Sequence, residues 1–347
     1  MAATFYDGSA LLSKRDLDGL RPDIYMCVGN RSAGKTYFFS RYLLRRYINR
    51  GEVFCVLDRY VQQCREHAVT FGQDVLKTDK VCAGHVLKSK AFGSVGYCLY
   101  MDDNATPCGY VLALNNSETI RRNSSGLQDI QTIFFDEFMS ENSDYLSRET
   151  QRLQSVHTSI ARGGGAQARR VPVILCANCV SKVNPYFVAF GIHKRLDTNT
   201  NFLRGRGWVL EQTYNASAAE ARAASGFARA FANSDYSEFS NNNAFLLDDS
   251  NFIKKLPIDG GQLFCLDASI GVYGVWRLSG GRLYVSPRHA SDGWHFATAR
   301  AQQTADNVAG SHYGRATILD AYNNSRLWFA DSAAYAATME IFDSYDT

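Results

Sequence analysis

The sequence predicts an α/β fold in which a domain built on a parallel sheet is followed by a smaller α+β domain. Over residues 1–211, short apolar segments rich in strand formers alternate with segments of helical periodicity. Such alternation is typical of a parallel sheet covered by helices on both faces. Residues 212–251 are rich in Ala, Ser and Asn and predict a helical linker, and residues 252–347 become rich in strand patterns.

The individual elements follow from these patterns. Helical spacing of apolar residues marks the helix that comes directly after the first strand, and a turn-rich stretch between two strand patterns indicates an inserted hairpin. The tight turn "LSGG" joins strands of the second domain. In chain order, we predict strands over 23–28, 52–57, 96–101, 109–114, 132–138 and 171–178, a helix over 36–50, and closing helices around 301–310 and 332–343.

Composition restricts the class of protein. The chain has 347 residues, of which 46% are hydrophobic, and this is enough for two cores. Nine cysteines at irregular spacing and the lack of a targeting pattern predict reduced thiols in a cytoplasm. No apolar run approaches the roughly 20 residues of a membrane helix. Residues 1–211 hold 27 Lys and Arg against 20 Asp and Glu, which is compatible with a polyanionic partner.

The stretch "VGNRSAGKT" carries the clearest chemical signal. Residues Gly29 to Thr36 fit the pattern G-x-x-x-x-G-K-[ST] between a predicted strand and a predicted helix. The glycines let successive N–H groups surround an anion, and the helix start adds its partial positive charge. Lys35 would reach the β- and γ-phosphates of ATP, and the Thr36 hydroxyl would bind Mg²⁺. The predicted nucleotide-binding residues are Gly29, Asn30, Arg31, Ser32, Ala33, Gly34, Lys35 and Thr36.

A second strand, "TIFFDEF", supplies the carboxylates that hydrolysis requires. Asp136 follows four apolar or β-branched residues, and its carboxylate would bind the Mg²⁺ ion. Glu137 is placed to act as the general base toward water. This pair favours an ATPase over a kinase, because a kinase takes its nucleophile from its substrate.

The strand "VPVILCAN" ends in Asn178. In P-loop folds of the ASCE type, which have an extra strand between the two nucleotide motifs, a polar residue here contacts the γ-phosphate and orients water. The nearby pair Cys176 and Cys179 mimics a metal site. Without a second such pair or a neighbouring histidine pair, we interpret Cys176 as a core residue.

Several motifs together carry a family resemblance. "VGNRSAGKT", "TIFFDEF", "CANCVSKVNPYF" and "GVYGVW…GGRLYVS" occur in the order seen in genome-packaging ATPases of small tailed phages of the φ29 type. The phosphate loop and the acidic strand are common to many ATPases, whereas the Asn followed by Val-Asn-Pro-Tyr-Phe is much more specific. The sequence therefore resembles this family from about residue 20 to about residue 300.

The resemblance implies a homo-oligomeric ring, a pentamer in this family, that docks on the portal of an empty capsid and drives double-stranded DNA inward by ATP hydrolysis. It implies a P-loop ATPase domain and a ribonuclease H-like domain that lacks its catalytic acids. It also implies residence in the host cytoplasm, transient docking at the portal vertex and absence from the mature virion. Whether a packaging RNA lies between ATPase and portal is left open.

Site residues transfer from the family one by one. Gly29, Gly34, Lys35 and Thr36 match its phosphate loop, Asp136 and Glu137 match its metal-binding acid and catalytic base, and Asn178 matches its sensor. Arg31 stands where the family places an arginine inside the loop. Its implied role is contact with the γ-phosphate or movement between states.

The family also requires an arginine that acts on the ATP of the neighbouring subunit. Arg162, in "TSIARGGGAQARRVPV", is the first choice, and Arg169 or Arg170 are alternatives because this segment is longer than the family pattern. Arg121 and Arg122 are the candidates for a second basic residue that acts in trans. The DNA-gripping residues stay open, since Arg59 and Arg65 lie near, but not at, the family's position for that role.

The second domain offers few carboxylates for metal-dependent nuclease chemistry. Only Asp267 lies at the end of a plausible first strand, and the hairpin that follows carries no acid. We therefore interpret this domain as a docking and DNA-guiding module. The alternative functions of the whole chain are a P-loop ATPase for protein assembly or export without nucleic acid, and a nucleotide-binding structural subunit that never hydrolyses ATP.

Overall fold

A computed structural model gives the fold of the chain as two compact units. The first unit is Met1–Ser140, Tyr145–Val180 and Arg195–Ala244; the second is Glu141–Asp144, Ser181–Lys194 and Phe245–Thr347. The structure describes residues 5–141, 145–146, 148–162, 168–182, 184–192, 195–196, 200–223, 226, 252–253, 255–307, 311–324 and 326–343.

The first unit is built on a nine-stranded sheet. Its strands are β1 (Ile24–Gly29), β2 (Val53–Asp58), β3 (Leu87–Phe92), β4 (Gly96–Met101), β5 (Gly109–Ala113), β6 (Ile130–Asp136), β7 (Val173–Asn178), β8 (Phe202–Gly205) and β9 (Trp208–Thr213). They lie in the order β3-β4-β5-β2-β6-β7-β1-β9-β8. The six strands from β5 to β9 in this order run parallel, while β3, β4 and β8 are antiparallel additions at the two edges.

Helices of the first unit connect these strands. They are α1 (Ser9–Ser13), α2 (Lys35–Arg50), α3 (Val61–Thr70), α4 (Gln73–Thr78), α5 (Ser117–Arg122), α6 (Glu149–Ile160) and α8 (Ala216–Ala223); helix α7 (Pro185–Ala189) belongs to the second unit. The longest, α2, buries Phe38, Phe39, Leu43 and Leu44 on one face, which is the amphipathic pattern of a helix packed on a sheet. It ends at Gly51, whose φ of +67° is the left-handed conformation of a helix C-cap.

The second unit has a five-stranded sheet of its own. Its elements are α7 (Pro185–Ala189), β10 (Gln262–Ala268), β11 (Gly271–Arg277), β12 (Leu283–Ser286), β13 (His295–Ala297), α9 (Ser311–Asn323), β14 (Leu327–Phe329) and α10 (Ser332–Asp343). The strand order is β13-β10-β11-β12-β14, with three antiparallel strands at the centre and a parallel strand at each edge. The core is a cluster of buried aliphatic and aromatic side chains around Phe264 and Phe296.

Asp267, the acid singled out in the second domain, lies near the end of β10. Its two carboxylate oxygens contact His295 Nδ1 at 2.7 Å and Asn307 Nδ2 at 2.8 Å. Among the residues that the structure describes, no cluster of three or more His, Cys, Asp or Glu side chains could hold a metal ion. The lack of nuclease activity stays a prediction.

The fold class predicted from the sequence is confirmed, including the parallel sheet and the smaller mixed sheet that follows it. The hairpin at 96–101 and 109–114 is present as the antiparallel pair β4–β5. The helix predicted around 301–310 is wrong: residues Arg300–Gln302 form a short 3₁₀ turn, and the helix begins at Ser311. The linker prediction falls mostly on residues outside the described ranges, so the division at 211 and 251 stays a prediction.

Two further features of the chain are the state of its cysteines and the hydropathy of its helices. All nine cysteines lie in described residues, all are buried, and no pair of them forms a disulfide. None of the helices in the described part of the chain combines the length and the hydropathy needed to cross a membrane.

Gly29, the last residue of β1, lies tightly against the neighbouring strand. A Cβ atom at this position would be 2.4 Å from the carbonyl oxygen and 2.6 Å from the Cγ2 of Thr213. We therefore predict that Gly29→Ala lowers the free energy of unfolding by about 1–3 kcal/mol, the usual effect of overpacking. Urea denaturation measures it, with Gly126→Ala as control because the nearest atom to that Cβ is 3.9 Å away. Equal stability of both variants would contradict the close packing of β1 and β9.

Candidate functional site

The candidate site is a cavity of about 510 Å³ at the carboxyl edge of the first sheet. Parallel pairing aligns Gly29 of β1 with Asn178 of β7, and Asp136 of β6 with Cys176 of β7. Because parallel strands end at the same edge, the loops after β1, β6 and β7 meet there. The cavity is lined by Arg31, Ser32, Ala33, Gly34, Lys35, Thr36, Tyr37, Ser40, His67, Thr70, Phe71, Gly72, Gln73, Asp74, Val75, Asp136, Glu137, Cys176, Ala177 and Asn178.

The loop between β1 and α2 has the backbone of an anion-binding site. Ser32 and Gly34 adopt left-handed conformations with φ of +58° and +93°. Such residues turn successive N–H groups toward one point, and the N-terminus of α2, which starts at Lys35, adds its dipole. This geometry suits a phosphate group.

Two contacts from other parts of the chain hold the loop in place. The Asn30 side chain is buried and exchanges hydrogen bonds with the backbone of Asn215, at 3.0 and 2.9 Å. The Tyr6 N–H donates to the Ala33 carbonyl oxygen at 2.8 Å, and the Tyr6 hydroxyl donates to the buried carboxylate of Glu211 at 2.5 Å. Asn30 therefore shapes the loop from behind, and it does not line the cavity.

Lys35 lies at the centre of the site with 6% of its surface exposed. Its ammonium donates to the carbonyl oxygens of Gly29 and Asn30 at 3.1 and 2.7 Å, and to Asn178 Oδ1 at 3.3 Å. A buried ammonium with these partners is fixed in direction. It lies where the loop would place the phosphates of a nucleotide.

The two side chains predicted to bind Mg²⁺, Thr36 and Asp136, line the same cavity. Burial raises the pKa of Asp136, and the polar Thr36 side chain together with the positive charge of His67 opposes the rise. Hydroxyl and carboxylate oxygens are the hard ligands that Mg²⁺ prefers, so the residues fit this ion.

Glu137 has an unusual backbone for the residue after a strand. Its φ is +53°, in the left-handed region that costs a non-glycine residue about 1–2 kcal/mol. Its N–H donates to Asp136 Oδ1 at 3.0 Å, and its side chain is exposed on the wall of the cavity. Strained residues of this kind concentrate at active sites.

Two further predicted residues belong to the same cavity. Asn178 ends β7 and is half-buried, with its side-chain oxygen toward Lys35. Arg31 is half-buried within the loop and lines the cavity. The structure thus brings together the loop, the acidic pair and the predicted sensor from three separate segments.

Comparison with known proteins is decisive for the family. The family described as Podovirus DNA encapsidation protein (Gp16) matches residues 2–345. The chain belongs to this family. The resemblance read from the sequence motifs is therefore confirmed.

Members of the DNA encapsidation family from Bacillus phages are distant relatives. The DNA packaging protein of Bacillus phage phi29 is 26% identical over 323 residues, with 91% of this chain and 92% of that protein covered. The DNA packaging protein of Bacillus phage B103 is 27% identical over 252 residues, which is 72% of each chain.

Two solved structures share the fold of this chain. The bacteriophage Phi-29 viral genome packaging motor assembly matches with a TM-score of 0.53 and 23% identity, and covers 97% of this chain and 99% of that one. The Phi-28 gp11 DNA packaging motor matches with a TM-score of 0.57 and 16% identity over 98% of both chains.

Sequence reasoning missed one titratable side chain in the cavity. His67 on α3 contacts Asp58, the last residue of β2, with Nδ1 2.9 Å from Oδ1. Burial lowers the pKa of His67, but the hydrogen bond and charge of Asp58, with the charges of Asp136 and Glu137, outweigh burial and raise the pKa. Asp58 was the signal in the sequence that could have indicated this contact. It ends β2, and β2 pairs with β6 and ends at the same edge of the sheet.

The arginines proposed to act in trans lie outside this cavity in their own chain. Arg162 is exposed in the bend that follows α6. Arg169 and Arg170 line a different cavity of about 1340 Å³ at the amino-terminal edge of the strands. Arg121 and Arg122 are exposed at the end of α5.

Arg169 and Arg170 have internal contacts in this unit. Arg169 donates to the Ile160 carbonyl at 2.9 Å, and burial lowers its pKa. Arg170 pairs with Asp23, with 3.3 Å between Nε and Oδ1, and also donates to the Pro22 carbonyl. These two side chains are therefore engaged within their own unit, whereas Arg162 is exposed.

We predict that Lys35→Ala weakens ATP binding, because it removes the ammonium from the centre of the loop. Isothermal titration calorimetry with a non-hydrolysable ATP analogue measures the dissociation constant, and we expect it to rise by at least about tenfold, as for a lost charge-assisted hydrogen bond. Lys80→Ala is the control, because Lys80 is exposed and does not line the cavity. Unchanged affinity in a folded Lys35→Ala variant would contradict the assignment of the loop.

Proposed function

We propose that this chain is the ATP-hydrolysing subunit of a homo-oligomeric ring, a pentamer by analogy with the family resemblance, that moves double-stranded DNA through the portal into a preformed capsid. The observation that supports this most strongly is the convergence of the phosphate loop with Thr36, Asp136 and Glu137 on one cavity. Membership in the DNA encapsidation family supports DNA as the moved substrate.

The residues of the site would divide the chemistry among them. The N–H groups of the loop and the Lys35 ammonium would bind the β- and γ-phosphates of ATP. Thr36 and Asp136 would hold Mg²⁺, which neutralises phosphate charge when bound. Glu137 would accept the proton of the attacking water, and the Asn178 amide would orient that water.

Arg162 would complete the site of the neighbouring subunit in the ring. It is exposed immediately after α6, and Gly163, Gly164 and Gly165 follow it in the sequence. A guanidinium that reaches the γ-phosphate from a neighbour stabilises the charge of the transition state. Hydrolysis would then depend on contact between subunits, which would allow the subunits of a ring to coordinate ATP hydrolysis.

The proposal includes partners and a location that follow from the resemblance. The ring would dock on the portal at the procapsid vertex from the host cytoplasm and leave before the virion matures. DNA contacts would be made to phosphates, because a motor must move any sequence. A packaging RNA between ring and portal is an open part of this proposal.

A protein-export ATPase is the alternative from another functional class. Family membership argues against it, and DNA dependence separates the two. We expect double-stranded DNA to stimulate ATP hydrolysis by the intact protein. Hydrolysis that is indifferent to DNA would favour the alternative.

We predict that Glu137→Gln keeps ATP binding and lowers kcat by about 10²–10⁴-fold, the usual contribution of a general base. The substitution preserves shape and hydrogen bonding and removes only the basic oxygen. Steady-state phosphate release in the presence of DNA measures kcat. Glu118→Gln is the control, because Glu118 is an exposed acid on α5 outside the cavity. Equal turnover in both variants would contradict the role of Glu137.

We predict that Arg162→Ala leaves ATP binding by isolated subunits unchanged and lowers DNA-stimulated hydrolysis by roughly 10³–10⁵-fold, as for arginines supplied in trans elsewhere. Mixing Arg162→Ala subunits with Glu137→Gln subunits should restore activity, since some interfaces then pair a native Glu137 site with a native Arg162. Neither variant alone should hydrolyse ATP at the parental rate.

The same mixing experiment tests the choice of arginine. If Arg169→Ala or Arg170→Ala mixtures recover activity and Arg162→Ala mixtures do not, the trans-acting residue lies further along the segment. If none of the three recovers, completion of the site by a neighbour at this segment is contradicted.

A further inference from the structure

A buried ion pair lies beside the candidate site, between Arg59 and Glu149. Arg59 directly follows β2, and Glu149 is the first residue of α6. The guanidinium makes two contacts with the carboxylate, Nε to Oε2 and Nη2 to Oε1, both at 3.0 Å. The side chains are 8% and 0% exposed. A pair buried this deeply requires close to ideal geometry, because both charges have left water.

The same guanidinium also holds the turn that contains Glu137. Its Nη1 donates to the Glu137 carbonyl oxygen at 2.9 Å, and its Nη2 donates to the carbonyl oxygen of Phe138. The planar fork of arginine can serve a carboxylate and two carbonyl groups at once, which an ammonium cannot do with the same geometry. The rings of Phe135 and Tyr145 lie 5.2 and 5.0 Å from the guanidinium and restrict it further.

These contacts stabilise the left-handed backbone conformation of Glu137. The turn is held from the other side as well, since the Phe138 N–H donates to the Cys176 carbonyl oxygen of β7 at 3.2 Å. Two carbonyl groups fixed by Arg59 and one N–H fixed by β7 leave little freedom for the peptide between them. The direction of the Glu137 carboxylate therefore depends on Arg59.

A second line of contacts joins the pair to α6. The Arg59 carbonyl oxygen accepts from the Asn115 N–H at 3.0 Å, and the Asn115 carbonyl oxygen accepts from Arg152 Nη1 on α6 at 3.2 Å. The helix is thus fixed to the end of β2 at both Glu149 and Arg152. It ends at Ile160, two residues before Arg162.

We propose that Arg59, held in place by Glu149, is a positioning residue for ATP hydrolysis: it fixes the turn that directs Glu137 and anchors the helix that leads to Arg162. This inference rests on the proposed ATPase function. Arg59 does not line the cavity, so it acts through the backbone of Glu137. One buried pair thereby fixes the position of the turn that carries Glu137 and the position of α6, after which comes the segment proposed to reach the neighbouring subunit.

The first test replaces both charges in the intact protein. The double variant Arg59→Met/Glu149→Gln leaves no unpaired buried charge, which a single substitution would create. The glutamine introduced by Glu149→Gln keeps an oxygen for the Leu146 N–H, which donates to Glu149 at 2.8 Å. We expect kcat for DNA-stimulated hydrolysis to fall at least about tenfold, and by less than the 10²–10⁴-fold of losing the base itself. The KM for ATP should not change.

The second test asks whether the effect passes through Glu137. In a Glu137→Gln background, the Arg59→Met/Glu149→Gln change should cause no further loss of kcat, because the group that it positions is already absent. Residues that act as a unit show this non-additivity. A merely structural role would instead lower the rate by the same factor in both backgrounds.

A second arginine–carboxylate pair, with an arginine that is 41% exposed, provides the control. Arg45 and Asp79 form a similar two-point contact, at 3.0 and 2.6 Å, that does not touch Glu137. Arg45→Met/Asp79→Asn should keep the parental kcat. Arg59→Lys keeps a cation beside Glu149 but loses the fork, so it should lower kcat with KM unchanged while urea unfolding stays near that of the parent. It tests the proposal even where the double variant fails to fold.

The outcomes separate the two proposals. If Glu137→Gln hydrolyses ATP at the parental rate, the proposed function is wrong. If Glu137→Gln is inactive but the folded Arg59 variants keep the parental kcat, the positioning role is overturned. Losses that multiply in the Glu137→Gln background, or an equal loss in the Arg45 control, would overturn it as well.

Discussion

The parallel register of β6, β7 and β1 is the constraint on which the rest of the site depends. It places three chain turns at one edge of the sheet, so residues far apart in sequence become neighbours. Gly29 faces Asn178 along this register, and the close approach of Thr213 on the other side of β1 allows no side chain there. A shift of one residue in either pairing would move Lys35 away from both Asn178 and the acidic pair.

Contacts within the chain hold several side chains of the site in place. The Lys35 ammonium is held by carbonyl groups, the Glu137 N–H donates to Asp136, and Asp58 contacts His67. Groups that are already fixed need little reorganisation as charge develops during a reaction, which is how preorganised sites stabilise transition states. Burial opposes the charged form of Asp136, and the surrounding donors and cations oppose that effect.

Local signals predicted much of the fold and the centre of the site. The phosphate loop and the acidic strand each combine a strand, a turn and characteristic residues within about ten positions, so a single window of sequence contains the evidence. The sequence did not predict the site roles of Arg59 and His67 or the contact between Asn30 and Asn215. These features depend on contacts made through tertiary packing. Arg59 contacts Glu149 across 90 positions, and Asn30 contacts Asn215 across 185.

The helix predicted at 301–310 is wrong for a local reason that composition does not reveal. The Asn307 side chain accepts a hydrogen bond from the Thr304 N–H and donates one to the Gln302 carbonyl oxygen. These bonds compete with the hydrogen bonds of a helix.

The contact of Tyr6 with the phosphate loop has a practical consequence for handling the protein. The backbone of Tyr6 holds Ala33, and its hydroxyl reaches Glu211 of β9, so the segment around Tyr6 is a brace on the loop. An affinity tag placed a few residues before Tyr6 would lie next to this brace, and trimming the segment would remove it. A purification handle placed after the last helix leaves the sequence of this segment unchanged.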